Sequence, residues 1–135
     1  MRIYAASKVK HAPMWRELRA MGWPIISTWI DEAGEGESGD LSDLAHRCIA
    51  EASSADVLLL YCEPGEVQKG AMIEVGAALA CGRRVISVGE CDTTSKTFIH
   101  HARWLQSQTI IDALSLAWAC REDRSAVSPP TPDPH

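Results

Sequence analysis

The sequence lacks the features of a membrane protein or a nucleic-acid-binding protein. None of its apolar runs approaches the roughly 20 residues that a membrane-spanning helix needs. It has no basic cluster, and its 13 Lys and Arg residues against 18 Asp and Glu residues give a formal net charge of −5. Because non-specific nucleic-acid binding depends on neutralising phosphates, we expect neither nucleic acid nor membrane as a partner. Met1 and Arg2 lead into an apolar stretch without a signal-peptide pattern, so we expect a cytoplasmic protein.

The sequence also lacks the paired cysteines of zinc sites and redox motifs. It has five cysteines, an odd number, and none of them forms a Cys-x-x-Cys pair. We therefore expect reduced thiols. Cys91, His100 and His101 do not have a recognised zinc-ligand spacing, and we predict no metal and no cofactor.

The length of 135 residues suits one domain with a single core. Residues 125–135 include four prolines and no apolar periodicity. We predict one domain over residues 1–124, followed by a disordered tail over residues 125–135 that is dispensable for stability.

Residues 55–89 contain the clearest structural pattern in the chain. The continuous apolar run at 57–61 is typical of a strand buried on both faces in a parallel sheet. A loop with Pro64 and Gly65 follows, and then an Ala-rich segment predicts a helix that ends at Gly82. The apolar residues 85–88 predict the next strand, so the whole segment predicts a β–α–β unit.

Strand and helix patterns alternate through the rest of the domain. Further short strands are predicted at residues 2–6, 24–28 and 103–105, and further helices at residues 14–21 and 41–54 and after Thr109. The alternation predicts an α/β fold, a doubly wound three-layer sandwich with a parallel sheet of four or five strands. We expect the flavodoxin-like or Rossmann-like strand order 2-1-3-4-5, with ligands at the carboxyl edge between strands one and three.

Glu74 is out of place in the first turns of an otherwise apolar helix. This helix begins at the carboxyl edge of the sheet, where open α/β folds bind ligands. A carboxylate there can complement the helix dipole, and that role alone would explain Glu74. Small residues on either side, Gly70, Ala71, Gly76 and Ala77, also leave the space that a ligand pocket would need.

These residues resemble the core signature of the nucleoside 2-deoxyribosyltransferase family, which includes 2′-deoxynucleoside 5′-phosphate N-hydrolases. The resemblance covers roughly residues 1–90, and the opening residues 2–7 are similar to the family's first strand and loop. The matching signature consists of Asp56, Gly70, Glu74, Gly76, Ala77 and Ala80, followed by Gly82, Arg83, Arg84 and Val85.

The resemblance implies cleavage or transfer at the N-glycosidic bond of a deoxynucleoside or nucleotide. In the family, the Glu of this motif attacks C1′ of the sugar, which assigns the role of nucleophile to Glu74. Tyr4 matches the tyrosine that holds this carboxylate, although a core tyrosine with a satisfied hydroxyl would look the same. We predict substrate contacts from the loops at the same sheet edge, namely Ser7, Gln68, Lys69 and Gly70.

The segment 29–40 is rich in carboxylates and glycines and contains Trp29. It is either a solvated acidic loop or a flexible lid. In the second case Trp29 stacks on the nucleobase, and Asp31 or Glu32 reads the edge of that base.

Two positions depart from the family pattern. Gln68 stands where the family has Asp or Ser to bind the sugar hydroxyl or the 5′ group, although Gln can still hydrogen-bond a hydroxyl. Cys48 stands where the family has the Asp that protonates the leaving base, and a thiol is a poor general acid for this task. Asp31, Glu32 or Asp43 could supply the proton instead.

Three hypotheses follow from the sequence. The first is an enzyme acting on the N-glycosidic bond, the second a non-catalytic nucleoside- or nucleotide-binding module, and the third a flavodoxin-like domain with an interaction role. We favour the first, with a small-molecule nucleoside or nucleotide as substrate. We also expect a homo-oligomer, because five Trp residues leave aromatic surface to bury.

Overall fold

The computed structural model describes residues 1–32, 39–90 and 97–126. Its strands are β1 (Ile3–Ala6), β2 (Val57–Tyr61), β3 (Arg84–Val88) and β4 (Trp104–Ser107). Its α-helices are α1 (Ala12–Ala20), α2 (Leu41–Ser54), α3 (Gly70–Ala80) and α4 (Ile110–Ala126). Short 3-10 helices lie at Val9–His11, Thr28–Asp31 and Phe98–His100.

The strands form a four-stranded sheet in the order β1-β2-β3-β4, and every pair is parallel. Parallel neighbours need a crossover connection; α1 and α2 lie between β1 and β2, and α3 lies between β2 and β3. The predicted α/β fold with a parallel sheet is therefore confirmed. The predicted edge strand near residues 103–105 forms as β4.

The predicted strand order 2-1-3-4-5 is wrong, because residues 24–28 form no strand. They make a single parallel bridge, between Ile3 and Ile25, on the edge of β1 away from β2. The backbone of this segment pairs with Ile3 alone. The Ile3 N–H donates to the Pro24 carbonyl, and the Ile26 N–H donates to the Ile3 carbonyl, each at 2.9 Å. At Ala5 the Ser27 hydroxyl accepts the backbone N–H at 2.6 Å in place of a strand carbonyl. The chain then turns into the 3-10 helix at Thr28–Asp31, which ends the pairing.

Burial along the strands shows that helices cover both faces of the sheet. Every residue of β1 and the first four residues of β2 are buried, and neighbouring strand residues point to opposite faces. Helices α2 and α3 pack against each other, α3 contacts β1, β2 and β3, and α4 contacts β2, β3 and β4. The rings of Trp23, just after α1, and Trp118 in α4 lie 6.4 Å apart. The architecture is compatible with a three-layer sandwich.

The expectation of reduced cysteines needs correction, and the expectation of a disordered tail is only partly covered by the described residues. Cys62 is disulfide-bonded, so the prediction that all cysteines are reduced is wrong for this residue, whereas Cys48, Cys81 and Cys120 are free. Helix α4 runs to Ala126, two residues into the predicted tail. Residues 127–135 of that tail and Cys91 of the rejected zinc site lie outside the described residues. No helix in the described part of the chain is long and apolar enough to cross a membrane.

Candidate active site

Glu74 lies on α3, in the second turn of a helix that starts at the carboxyl edge of the sheet. Its neighbours Ala71, Val75 and Ala78 are buried against the sheet, and they fix the helix that carries the carboxylate. Burial of the carboxyl group raises the pKa of Glu74 to about 7. Hydrogen bonding from Tyr4 and Cys48 opposes this rise, and the negative charge of Glu51 adds to it. At neutral pH a large fraction of Glu74 is therefore ionised.

Tyr4 is fully buried on β1, and its hydroxyl lies beside Glu74 and Cys48. Burial, together with the Glu74 charge and the Cys48 thiol, holds the pKa of Tyr4 far above its usual value, so the hydroxyl keeps its proton. The hydroxyl interacts with both neighbours electrostatically. Within the described residues, however, it has no partner at full hydrogen-bonding geometry. A buried hydroxyl without a close partner is costly, and here it is a proton donor available to a carboxylate or a sugar oxygen.

Cys48 lies half-buried on the side of α2 that faces α3, next to the same two groups. Burial raises the pKa of its thiol to about 11; the Tyr4 hydroxyl opposes the rise, and the charges of Glu74 and Glu51 add to it. The thiol is neutral at physiological pH, so it is neither a thiolate nucleophile nor a strong acid. The structure thus brings Tyr4, Cys48 and Glu74 into one cluster across three elements.

Glu51, one turn after Cys48 on α2, is held in place by Thr28. Its two carboxylate oxygens accept the Thr28 backbone N–H at 3.0 Å and the Thr28 hydroxyl at 2.8 Å. Arg47 in turn donates to the Thr28 hydroxyl at 2.7 Å. Nothing in the sequence singles out Glu51, because it lies on the mainly polar side of a helix and its partner is distant along the chain.

The three carboxylates predicted as substitute acids are paired with arginines. Asp31 pairs with Arg19 at 2.6 Å, and that hydrogen bond holds the pKa of Asp31 below its usual value although partial burial opposes it. Glu32 and Asp43 pair with Arg47 at 2.6 and 2.8 Å. The pair with Arg19 favours the charged form of Asp31, which accepts a proton rather than donates one.

Trp29 and Ser7 have structural partners within the protein. The Trp29 ring is 8% exposed, and its indole N–H donates to the Ala5 carbonyl at 2.8 Å. Stacking on a base could therefore use only a small edge of the ring. Ser7 accepts the indole N–H of Trp15 at 2.9 Å and donates to the Lys8 carbonyl at 2.9 Å. Residues 33–38 of the predicted lid lie outside the described residues.

The loop before α3 places its predicted binding residues at the carboxyl edge. Gln68 is buried, with 3% of its surface exposed, whereas Lys69 and Gly70 are exposed at the start of α3. A side chain added at Gly70 would meet no atom within 4 Å, so the space beside the helix start is open. At the same edge, a groove of about 570 Å³ lies between residues 8–10 and residues 65–67.

The structure also shows a polar cluster that the sequence did not predict. The His11 Nε2 atom and the Glu66 Oε2 atom are 2.7 Å apart and buried. Glu66 also accepts the backbone N–H of Glu63 at 2.9 Å and pairs with Lys10 at 3.3 Å, and the Tyr61 hydroxyl donates to Glu63 at 2.9 Å. Topology alone could have indicated this cluster, because residues 7–11 and 62–69 follow adjacent strands.

His11, Glu63 and Glu66 have donor atoms of types that bind metals, and these atoms lie within 4.8 Å of one another. Two features fit a structural role better. The His11–Glu66 contact is a direct hydrogen bond, and the Lys10 ammonium lies 3.3 Å from Glu66 and 4.0 Å from Glu63, where it offsets one of the two negative charges. The cluster ties the loop after β1 to the loop after β2.

Comparison with known proteins finds no family model that matches this chain and no curated protein that matches it. The resemblance to nucleoside 2-deoxyribosyltransferases therefore depends on the matching residues of the sequence.

Proposed function

We propose that this protein cleaves or transfers the N-glycosidic bond of a deoxynucleoside or nucleotide, with Glu74 as the nucleophile. The observation that carries the proposal is the pairing of a half-buried carboxylate on α3 with the buried Tyr4 hydroxyl on β1. The helix that carries Glu74 starts at the carboxyl edge of the sheet, where parallel α/β folds bind ligands.

The chemistry needs an ionised carboxylate that is poorly solvated. The C1′–N bond breaks through a transition state with positive charge on the sugar, and an adjacent carboxylate stabilises it and then captures the sugar. Since the pKa of Glu74 is about 7, the anion is available at neutral pH without a strong desolvation barrier to attack. The Tyr4 hydroxyl, which stays protonated, can orient that anion.

The surrounding residues suit a small polar ligand. Gln68 offers a buried amide beside the start of α3, and Lys69 offers an exposed positive charge there. The helix start also favours a negative group such as a 5′-phosphate. We therefore include both nucleosides and nucleoside monophosphates among the candidate substrates.

The direct test is incubation with a panel of deoxynucleosides and their 5′-monophosphates, followed by chromatography for free base. A 2-fluoro-2-deoxyriboside then traps the intermediate, because the fluorine slows release of the sugar. We expect a sugar adduct that mass spectrometry of peptides locates on Glu74. Release of base without any adduct on Glu74, even with slow substrates, would exclude the proposed nucleophile.

A second candidate function is a non-catalytic nucleoside- or nucleotide-binding module. The observation that favours it is Cys48, which places a neutral thiol in the cluster where a proton-donating carboxylic acid would be expected. Saturable binding of a nucleotide without base release, measured by calorimetry over long incubation, would support this alternative.

We further propose that the protein forms a homo-oligomer through the outer face of α3. Glu74 is the one charged residue in this described helix, and the residues that face outward are apolar. A helix that is apolar all round is normally covered. Exposed apolar residues of α2 extend the same surface. The exposed residues of the combined surface are Ile73, Gly76 and Ala80 on α3 and Leu41, Ala45 and Ile49 on α2.

A further inference from the structure

Glu66 is a buried carboxylate in a loop whose neighbouring residues are exposed. Its side chain is 8% exposed, whereas Pro64, Gly65 and Val67 face solvent. Acidic side chains are rarely buried unless they are paired, because burial of an unpaired charge is costly. The contacts that Glu66 makes must therefore offset the cost of its burial.

The loop reaches Glu66 through a tight turn. The Glu66 N–H donates to the Glu63 carbonyl at 3.0 Å, and Gly65 has a φ of 83°. Pro64 followed by a glycine of positive φ is typical of a type II turn. The Glu66 Oε1 atom closes the same turn a second time, because it accepts the Glu63 N–H at 2.9 Å.

The second carboxylate oxygen attaches this turn to the loop after β1. Glu66 Oε2 lies 2.7 Å from Nε2 of His11 and 3.3 Å from the Lys10 ammonium. His11 immediately precedes α1, and its ring lies edge to face with the Tyr61 ring at the end of β2, 4.9 Å away. The fold holds His11 in place, and His11 in turn holds Glu66.

Burial alternates along the chain from Glu66 to the start of α3. Glu66 and Gln68 are buried, and Val67 and Lys69 are exposed. Successive side chains therefore point alternately inward and outward. A displacement of this segment by one residue would place Val67 or Lys69 where the Gln68 amide lies, as a register slip does in a strand.

Resting on the proposed function, we propose that Glu66 is a positioning residue for the substrate. It sets which residues of the loop before α3 face inward, and it thereby places the Gln68 amide for a sugar hydroxyl and the Lys69 ammonium for a 5′-phosphate. Glu74 depends less on this loop, because buried residues of α3 fix that helix against the sheet. Loss of the Glu66 contacts should weaken substrate binding and spare the chemical step.

Hydrogen exchange measured by NMR tests the positioning without reference to activity. In Glu66→Ala the Glu63 N–H loses its acceptor, so amide exchange in the loop 63–69 should become at least about tenfold faster while exchange in α3 stays unchanged. Glu63→Gln is the matched control, because it retains the backbone N–H that donates to Glu66. Loop exchange that is equal in Glu66→Ala and the unmodified protein would overturn the inference and leave the proposed function intact.

Kinetics of base release test the consequence for the substrate. With deoxynucleoside 5′-monophosphates, Glu66→Ala should raise KM by about tenfold or more and change kcat by less than about threefold. Glu66→Gln keeps an oxygen for the Glu63 N–H, so its KM should lie between those of Glu66→Ala and the unmodified protein, and it carries the test if Glu66→Ala does not fold. An unchanged KM in the folded variants, or a fall in kcat alone, would overturn the inference.

A double substitution shows whether Glu66 acts through Gln68. Gln68→Ala should raise KM by about tenfold in the unmodified protein and by little in the Glu66→Ala background, because the amide is already misplaced there. Additive effects would overturn the positioning role.

Failure of the proposed function has a separate signature. If the unmodified protein releases no base, calorimetry with the same monophosphates measures Kd in place of KM. A Kd raised by about tenfold in Glu66→Ala would support the positioning role in a binding module. Absence of both base release and binding in the unmodified protein would remove the proposed function and this inference together.

Discussion

The buried Tyr4 hydroxyl lies beside the Glu74 carboxyl, and each group changes the ionisation of the other. The Glu74 charge raises the pKa of Tyr4, and hydrogen bonding by Tyr4 opposes the rise that burial causes in the pKa of Glu74. Because Tyr4 retains its proton, the pair has a fixed polarity, with tyrosine as donor and glutamate as acceptor. This polarity is what a carboxylate nucleophile requires.

Glu74→Gln should abolish turnover and preserve ligand binding. An amide cannot form the covalent bond to C1′, so kcat should fall by at least about 1,000-fold, or about 4 kcal/mol of transition-state stabilisation. The loss of a helix-dipole interaction amounts to only about 1 kcal/mol and could not cause this. Rates are measured by base release, with Glu63→Gln as a control at another carboxylate of the same sheet edge. Wild-type turnover in Glu74→Gln would leave Glu74 as a dipole-complementing residue.

The same substitution should change how stability depends on pH. Burial raises the pKa of Glu74 from its ordinary 4.5 to about 7, so the folded protein binds this proton more tightly than the unfolded chain does. The stabilisation is complete below pH 4.5 and is lost as pH rises through about 7. Glu74→Gln cannot ionise, so its free energy of unfolding relative to the unmodified protein should increase between pH 5 and pH 8. Denaturant titration at the two pH values measures this, and an unchanged difference would contradict the burial of the carboxyl group.

The activity should rise with pH through about 7, because Glu74 must be ionised to attack. Tyr4→Phe removes the hydroxyl that favours the anion, so the midpoint of kcat/KM should move to higher pH. Glu51→Gln removes a nearby negative charge that raises the pKa, so the midpoint should move to lower pH. A purely structural role for Tyr4 and Glu51 would lower activity at every pH without moving the midpoint in opposite directions.

The parts of this site that the sequence could predict are those set by topology and local pattern. The apolar strand at 57–61, the helix that ends near Gly82 and the crossover rule place the carboxyl ends of β1 and β2 side by side. The meeting of Tyr4 and Glu74 follows from that placement. Cys48 could be placed with them only through the resemblance.

The rest depends on contacts between residues far apart in the chain. Residues 24–28 have strand composition, but the Ser27 side chain takes the hydrogen bond at Ala5 that a strand backbone would make. Trp29 stands in an acidic segment without periodicity, so nothing in its neighbourhood indicates burial. The His11–Glu66 pair spans 55 positions, and neither residue belongs to a recognisable motif.

Trp29→Ala should destabilise the fold rather than only weaken ligand binding. The ring is 8% exposed and its N–H donates to the Ala5 carbonyl, so truncation leaves a cavity and removes this hydrogen bond. We expect a loss of about 3–5 kcal/mol in the free energy of unfolding. Trp118→Ala is the matched control, because that ring is 45% exposed and should cost much less. Stability in Trp29→Ala equal to that of the control, together with weaker nucleotide binding, would restore the stacking role.

The outer face of α3 provides the last prediction. Ile73 is 66% exposed on a helix whose other outward residues are small or apolar, and Leu41 on α2 is 72% exposed. If a second copy of the chain covers this surface, Ile73→Glu places a charge in the interface, where burial without a partner is costly. Light scattering coupled to size-exclusion chromatography should then show the variant as a monomer at concentrations where the unmodified protein is an oligomer.

Ile111→Glu is the matched control for this experiment. Ile111 is 59% exposed, but it lies on α4, which packs against β2, β3 and β4 instead of α2. The same change of charge there should leave the oligomer intact, which separates a local effect on α3 from a general effect of net charge. An unmodified protein that is monomeric at all concentrations, or an oligomer that tolerates Ile73→Glu, would show that α3 is not the interface. Base release by the monomeric Ile73→Glu variant would then tell whether Tyr4 and Glu74 suffice within one chain.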